Sequence, residues 1–201
     1  EILSNIVRNK SMKFNSKERN VGKIYKNPSI NQCIFYLFKI FYRRIFKIKT
    51  TNDWNIALSK NKFNKVNHAN SIKAEKPKDS FFADPFVIKN NGKIFIFFEN
   101  YSYKKNKGTI GILELKKNKL VNYKTILDEK FHLSFPFVFS FNNKYYLIPD
   151  SSENKDLRLY ECVKFPFKWK LKKIIFRNIR TTDTLVFKLK NHWIMMTNSN
   201  P

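Results

Sequence analysis

From residue 80 onward, apolar residues gather into short runs separated by polar turns. Phe81-Phe82-Ala83-Asp84-Pro85-Phe86-Val87-Ile88 leads into Lys89-Asn90-Asn91-Gly92, and Lys93-Ile94-Phe95-Ile96-Phe97-Phe98-Glu99 follows. Asn and Gly accept the positive φ of a tight turn, so these two runs predict a hairpin. Further strands are expected at Thr109–Leu115 and Leu120–Leu127, around the polar stretch Lys116-Lys117-Asn118-Lys119. Together they make one four-stranded antiparallel meander. The unit restarts at Leu133–Phe139, turns at Asn142-Asn143, returns through Lys144–Asp150, and is completed by Asp156–Val163 and Trp169–Phe176. A third copy opens with Thr182-Asp183-Thr184-Leu185-Val186-Phe187, turns at Lys190-Asn191 and continues as His192–Thr197.

Asp84, Phe135 and Asp183 occupy equivalent positions, spaced 51 and 48 residues apart. Four-stranded units repeating at about that period are the signature of propeller blades, each burying both faces against its neighbours. The expected fold is therefore all-β: a partial five-bladed β-propeller of about two and a half blades (80–127, 131–176 and a truncated 181–201) within a domain spanning 51–201. Trp54-Asn55-Ile56-Ala57-Leu58 reads as an outer strand that would close such a ring against its last blade. The first strand of a blade lies innermost, which places Asp84 and Asp183 near the central channel.

Residues 1–50 read differently, as a basic, irregular linker carrying one helix. Ile34, Leu37, Phe38, Phe41, Ile45 and Ile48 share one arc at helical spacing, with Lys39, Arg43, Arg44 and Lys47 largely opposite, so an amphipathic helix is expected near 31–48. The uncharged run Asn27–Phe38 is only twelve residues, too short to cross a membrane. Such a helix either docks on a neighbouring domain or lies in the interface of an anionic membrane.

The chain has 40 Lys+Arg against 15 Asp+Glu, a formal charge of +25. A polyanionic partner is one explanation; a Lys-, Asn- and Phe-heavy composition is the other. The lysines are scattered and no nucleic-acid motif accompanies them, so nucleic acid is not an expected partner. Cys33 and Cys162 form no metal or disulfide pattern, which suits a cytoplasmic protein, peripheral to a membrane if the helix binds one; no metal or cofactor is expected. The start at Glu1 and the stop at Pro201 suggest a piece of a longer protein.

An ordered series of motifs carries a resemblance: Trp54-Asn55-Ile56-Ala57, Phe82-Ala83-Asp84-Pro85-Phe86, His132-Leu133-Ser134-Phe135-Pro136-Phe137, Pro149-Asp150-Ser151-Ser152-Glu153-Asn154, Leu157-Arg158-Leu159-Tyr160, Phe165-Pro166-Phe167-Lys168-Trp169 and Asp183-Thr184-Leu185. Over about residues 52–200 it resembles the N-terminal domain of glucosamine inositolphosphorylceramide transferases and their bacterial relatives. The resemblance implies a five-bladed propeller akin to arabinanase-, xylosidase- and invertase-type hydrolases. It also implies a carbohydrate or glycolipid partner and a covalently linked transferase domain beyond this sequence.

Hydrolysis in those relatives uses an inner-strand Asp as base, an assisting Asp and an acid Glu. The resemblance assigns the base to Asp84, but Phe135 stands where the assisting Asp belongs, and the third copy offers Asp183, shorter than Glu. Glu153, in the loop after the second hairpin, is the other candidate acid. Each of the three also has a plain structural role available: Asp84 and Asp183 as turn caps, Glu153 as a solvated loop charge. His132 is a candidate for holding a sugar hydroxyl, and Trp54 for stacking on a sugar ring, against the simpler roles of packing or surface residues. Three functions follow: a sugar- or glycolipid-recognising domain, a glycosidase-like or glycosyl-transferring enzyme using these carboxylates, or a scaffold for proteins or polyanions.

Overall fold

The computed structural model describes residues 27–46, 54–59, 71–190 and 192–200. The chain divides into two units, residues 1–50 and 51–201.

The first unit contributes helix α1, Ile30–Ile45. A capping box starts it: the Gln32 N–H donates to Ser29 Oγ (3.3 Å) and the Ser29 N–H to Gln32 Oε1 (2.9 Å). Arg43 and Arg44 in the last turn oppose the negative end of the helix dipole. It begins one residue before the expected start and closes at Phe46, whose N–H donates to the Tyr42 carbonyl (3.0 Å). Lys47 and Ile48 lie outside the described residues. Its apolar residues are exposed, among them Phe35, Leu37, Phe38 and Phe41.

The second unit is all-β. Strands β3 (Ser80–Asn90), β4 (Lys93–Ser102), β5 (Lys107–Lys116) and β6 (Lys119–Leu127) form one antiparallel meander in sequence order. Strands β7 (Ser134–Phe141), β8 (Lys144–Asp150), β9 (Asp156–Lys164) and β10 (Lys168–Arg177) form a second. A hairpin of β11 (Arg180–Leu189) and β12 (His192–Asn200) follows. Asn supplies most of the left-handed turn residues that Gly usually fills: Asn91 (φ 47°), Asn118 (φ 60°), Asn142 (φ 47°) and Asn143 (φ 58°).

The first meander is buried on both faces, which accounts for its nearly unbroken apolar run. Phe95 and Phe97 of β4, with Ile110 and Ile112 of β5, pack against Leu133, Val138, Leu147 and Tyr160 of the second meander. Ile96 and Phe98 point the other way and join Phe82, Leu113 and Leu120 against Ile56 and Ala74. Ile56 and Ala74 flank β1 (Ala57–Leu58) and β2 (Ile72–Lys73), a two-residue ladder that is all the strand the Trp54–Leu58 motif forms here. Between the second meander and the β11–β12 hairpin lies an apolar groove of about 440 Å³, lined by Phe139, Tyr146, Ile148, Leu159, Val186 and Trp193.

Candidate functional site

The three equivalent positions of the sequence repeat share one backbone device. In β3 the ladder breaks between Ala83 and Phe86, in β7 between Ser134 and Phe137, and in β11 between Thr182 and Leu185. Each break is a bulge whose key residue is left-handed: Asp84 (φ 50°), Phe135 (φ 44°) and Asp183 (φ 53°). The Phe135 N–H donates to Asp84 Oδ2 (3.3 Å), tying the first bulge to the second. Asp183 Oδ2 accepts from Asn198 Nδ2 (3.3 Å) within its own hairpin.

The residue before each bulge pairs with a polar residue on the second strand: Ala83 with Glu99, Ser134 with Asp150, Thr182 with Asn198. Glu99 and Asp150 are buried carboxylates that sequence reasoning missed. Glu99, Asp150 and Asn198 repeat at the same spacings, 51 and 48 residues, as the bulge positions. That shared period was the signal that could have found them.

His132 stands between the two meanders. Its Nδ1 accepts from the Gly108 N–H (2.9 Å) and its Nε2 lies 3.5 Å from Glu99 Oε1. Its own backbone N–H donates to Glu153 Oε2, so this exposed carboxylate, a candidate acid, is engaged in holding the His132 main chain. The segment leading to His132 is anchored nearby: Arg158 lies over the Phe131 ring at 4.6 Å and binds Asp156 (2.8 Å), while the Tyr160 hydroxyl donates to Glu129 Oε1 (2.8 Å).

The titration behaviour reflects this crowding. Burial, then the charges of Asp84 and Asp150, push Glu99 up to about 7. Burial also raises Asp84, helped by Asp183 and opposed by the Phe135 N–H and by His132. Asp150 is raised by burial against the hydrogen bonding from Ser152. His132 is lowered by burial, although Asp150, Glu153 and Asp84 all favour its cation. Asp84, Glu99, His132, Asp150, Glu153 and Asp183 thus form one electrically coupled cluster in a chain that is otherwise strongly basic.

Trp54 is not brought into it. Its indole is exposed, and its main chain meets β3 through the Trp54 carbonyl, which accepts from the Phe82 N–H (3.2 Å). Among the described residues no group of three or more His, Cys, Asp or Glu is arranged to hold a metal ion. No described helix is long and apolar enough to cross a membrane.

By its sequence this all-β unit is a transferase-associated domain. The chain belongs to the family described as glucosamine inositolphosphorylceramide transferase 1, N-terminal, whose family model matches residues 36–200. It is 36% identical over 119 residues to glucosamine inositolphosphorylceramide transferase 1 of Arabidopsis thaliana, covering 58% of this chain and 15% of that protein. It is 39% identical over 109 residues to the protein of that name from Oryza sativa subsp. indica, covering 53% of this chain and 15% of that protein. The aligned segment thus spans about 15% of the length of these curated relatives.

Proposed function

We propose that residues 51–201 are the first blades of an incomplete five-bladed propeller. In this reading their inner bulges recognise a sugar or glycolipid headgroup as part of a larger glycosyl- or formyl-transferase-type protein. The observation that carries this is the convergence of Asp84, Glu99, His132 and Asp150 on neighbouring inner strand ends. Carboxylates and imidazole at one strand mouth offer the mixed donors and acceptors that ring hydroxyls need. The names of the relatives, which are glycolipid transferases, support a headgroup of that kind.

The competing reading is a glycosyl-transferring or glycosidase-like enzyme. It is weakened by Phe135, which carries no titratable group at the second bulge, and by Glu153 being engaged with the His132 backbone. Separate Asp84→Asn and Asp183→Asn variants distinguish the two, read by saturation-transfer NMR with monosaccharides and by glycoside turnover. Loss of binding without any turnover in the parent chain supports recognition. Turnover in the parent that disappears with binding intact supports catalysis.

Helix α1 offers a partner surface of its own under the same proposal. Its exposed Phe35, Leu37, Phe38 and Phe41, with Lys39, Arg43 and Arg44, suit the interface of an anionic bilayer where a glycolipid is displayed. Co-sedimentation with vesicles containing phosphatidylserine, and its loss in Phe38→Glu, is the check; equal recovery without vesicles removes this element.

A further inference from the structure

We propose that the bulge site takes the uncharged hydroxyl-bearing face of a ring headgroup, with Glu99 hydrogen-bonded to a ring hydroxyl and any phosphate on the ring turned outward. The inference rests on the headgroup reading above and adds the orientation and the residue that sets it.

Glu99 is the observation that points to a ligand. Its side chain is only 8% exposed, yet among the described residues no N–H or O–H group makes a hydrogen bond to its carboxyl. His132 Nε2 lies 3.5 Å from Oε1. A side chain this buried whose carboxyl keeps unfilled hydrogen-bonding capacity is ordinarily matched by a partner, and its oxygens stay open enough to reach one. A ring hydroxyl supplies one, because it both donates and accepts.

The geometry also fixes which oxygen is free. His132 Nδ1 accepts from the Gly108 N–H, so the neutral imidazole carries its proton on Nε2, facing Glu99 Oε1. Gly108 cannot yield this position to another residue: a Cβ there would lie 2.4 Å from the Leu133 carbonyl, 2.8 Å from His132 Cε1 and 2.9 Å from Glu99 Oε1. Oε2 is left for the ligand. Because burial and neighbouring charge keep Glu99 protonated to about pH 7, that oxygen presents an O–H donor.

Asp84 from β3 and Asp150 from β8 act on Glu99 directly, with His132 beside it; behind them Asp183 from β11 acts on both aspartates, and Glu153 from the short turn Ser152–Asn154 acts on His132. Four of these neighbours are carboxyls, and the imidazole is held toward its neutral form. A phosphate placed among them meets like charge without a fixed cation. Hydroxyls meet acceptors in Asp84 and Asp150 and a donor in Glu99. The chain as a whole, these carboxyls included, carries a net charge of +25, so a phosphate turned away from the cluster belongs with an overall basic protein.

The test uses the 201-residue chain with myo-inositol, D-glucose and their monophosphates as probes, followed by NMR at pH 6 and pH 8.5. The expected result is that a neutral probe binds at pH 6 and its phosphate binds roughly tenfold or more weakly. Glu99→Ala should weaken the neutral probe roughly tenfold, while Glu99→Gln, which keeps an N–H donor, should stay within about threefold of the parent. Raising the pH to 8.5 should weaken the parent and leave Glu99→Gln unchanged. A phosphate that binds as well as its neutral probe, or a parent whose binding ignores pH, overturns the orientation and leaves headgroup recognition standing. No binding by any probe at pH 6 overturns both. The pH arm needs no variant to fold, so a poorly folded Glu99→Ala does not rescue the proposal.

Discussion

The first and second meanders build the same bulge and put it to different uses. Asp84 and Phe135 are both left-handed, at φ 50° and 44°. Asp tolerates that region because its short polar side chain bonds locally; a bulky aromatic there costs roughly 1–2 kcal/mol. At the first bulge the side chain reaches across to accept the Phe135 N–H, and it joins the titrating cluster. At the second, the Phe135 ring packs edge-on against Phe86, with centroids 5.7 Å apart. The backbone break therefore belongs to the architecture, since it persists with the least suitable side chain. What stands on it is free to serve packing in one copy and polar chemistry in the next.

The largest expected effect comes from the residue that joins the two meanders. Gly108→Ala forces a Cβ against the Leu133 carbonyl and the His132 ring, and main chain cannot step aside as a flexible side chain can. We expect a loss of about 3 kcal/mol in urea denaturation. Gly92→Ala, which meets nothing within 4 Å but has φ 73°, should lose about 1 kcal/mol. Equal losses would mean that the junction is not tightly packed.

Next is Glu99, the buried carboxyl of the first meander. Its folded-state value is raised from 4.5 to about 7, so it stabilises the fold fully below pH 4.5, and the benefit disappears as the pH rises through 7. The shift corresponds to about 3 kcal/mol at most. The difference in stability between parent and Glu99→Gln should therefore move in the variant's favour by up to that amount between pH 4.5 and 8. Flat behaviour across that window would show that Glu99 is ionised throughout.

How far the chain disclosed this arrangement depended on the range of the interaction concerned. Hairpins were legible because Asn90-Asn91-Gly92 and Asn142-Asn143 fix their turns locally. The bulge residues were legible because Asp84, Phe135 and Asp183 repeat. Glu99 was not, since one acid ending an apolar run reads as the solvated end of a strand. Its burial comes from pairing with Ala83 and from His132, which lies 33 residues further on. Glu153 read as a candidate acid because a loop carboxylate gives no sign that a backbone N–H 21 residues earlier will occupy it. The helix near 31–48 was visible from its apolar arc, while its close at Ile45 depends on the Phe46 cap, which leaves no mark on the periodicity.

The smallest effects come from exchanging the two bulge residues' properties. Phe135→Asn relieves the left-handed strain, worth about 1–2 kcal/mol, but gives up the ring contact with Phe86, worth about 0.5–1.5 kcal/mol. The net change in thermal stability should stay within about 1 kcal/mol, either way far below that of Gly108→Ala. Asp84→Asn should barely alter stability, because the amide oxygen still accepts the Phe135 N–H. It does remove one of the charges that favour the His132 cation, the weakest of the three after Asp150 and Glu153. The His132 midpoint, followed through its ring protons, should therefore fall slightly further below 6.5, and Glu99 should fall too as a repelling charge is lost. Two groups of opposite charge type moving in the same direction is what a single carboxylate facing both must produce. If Asp84→Asn moves one without the other, the first bulge does not face both groups, and its contrast with the second bulge reduces to packing alone.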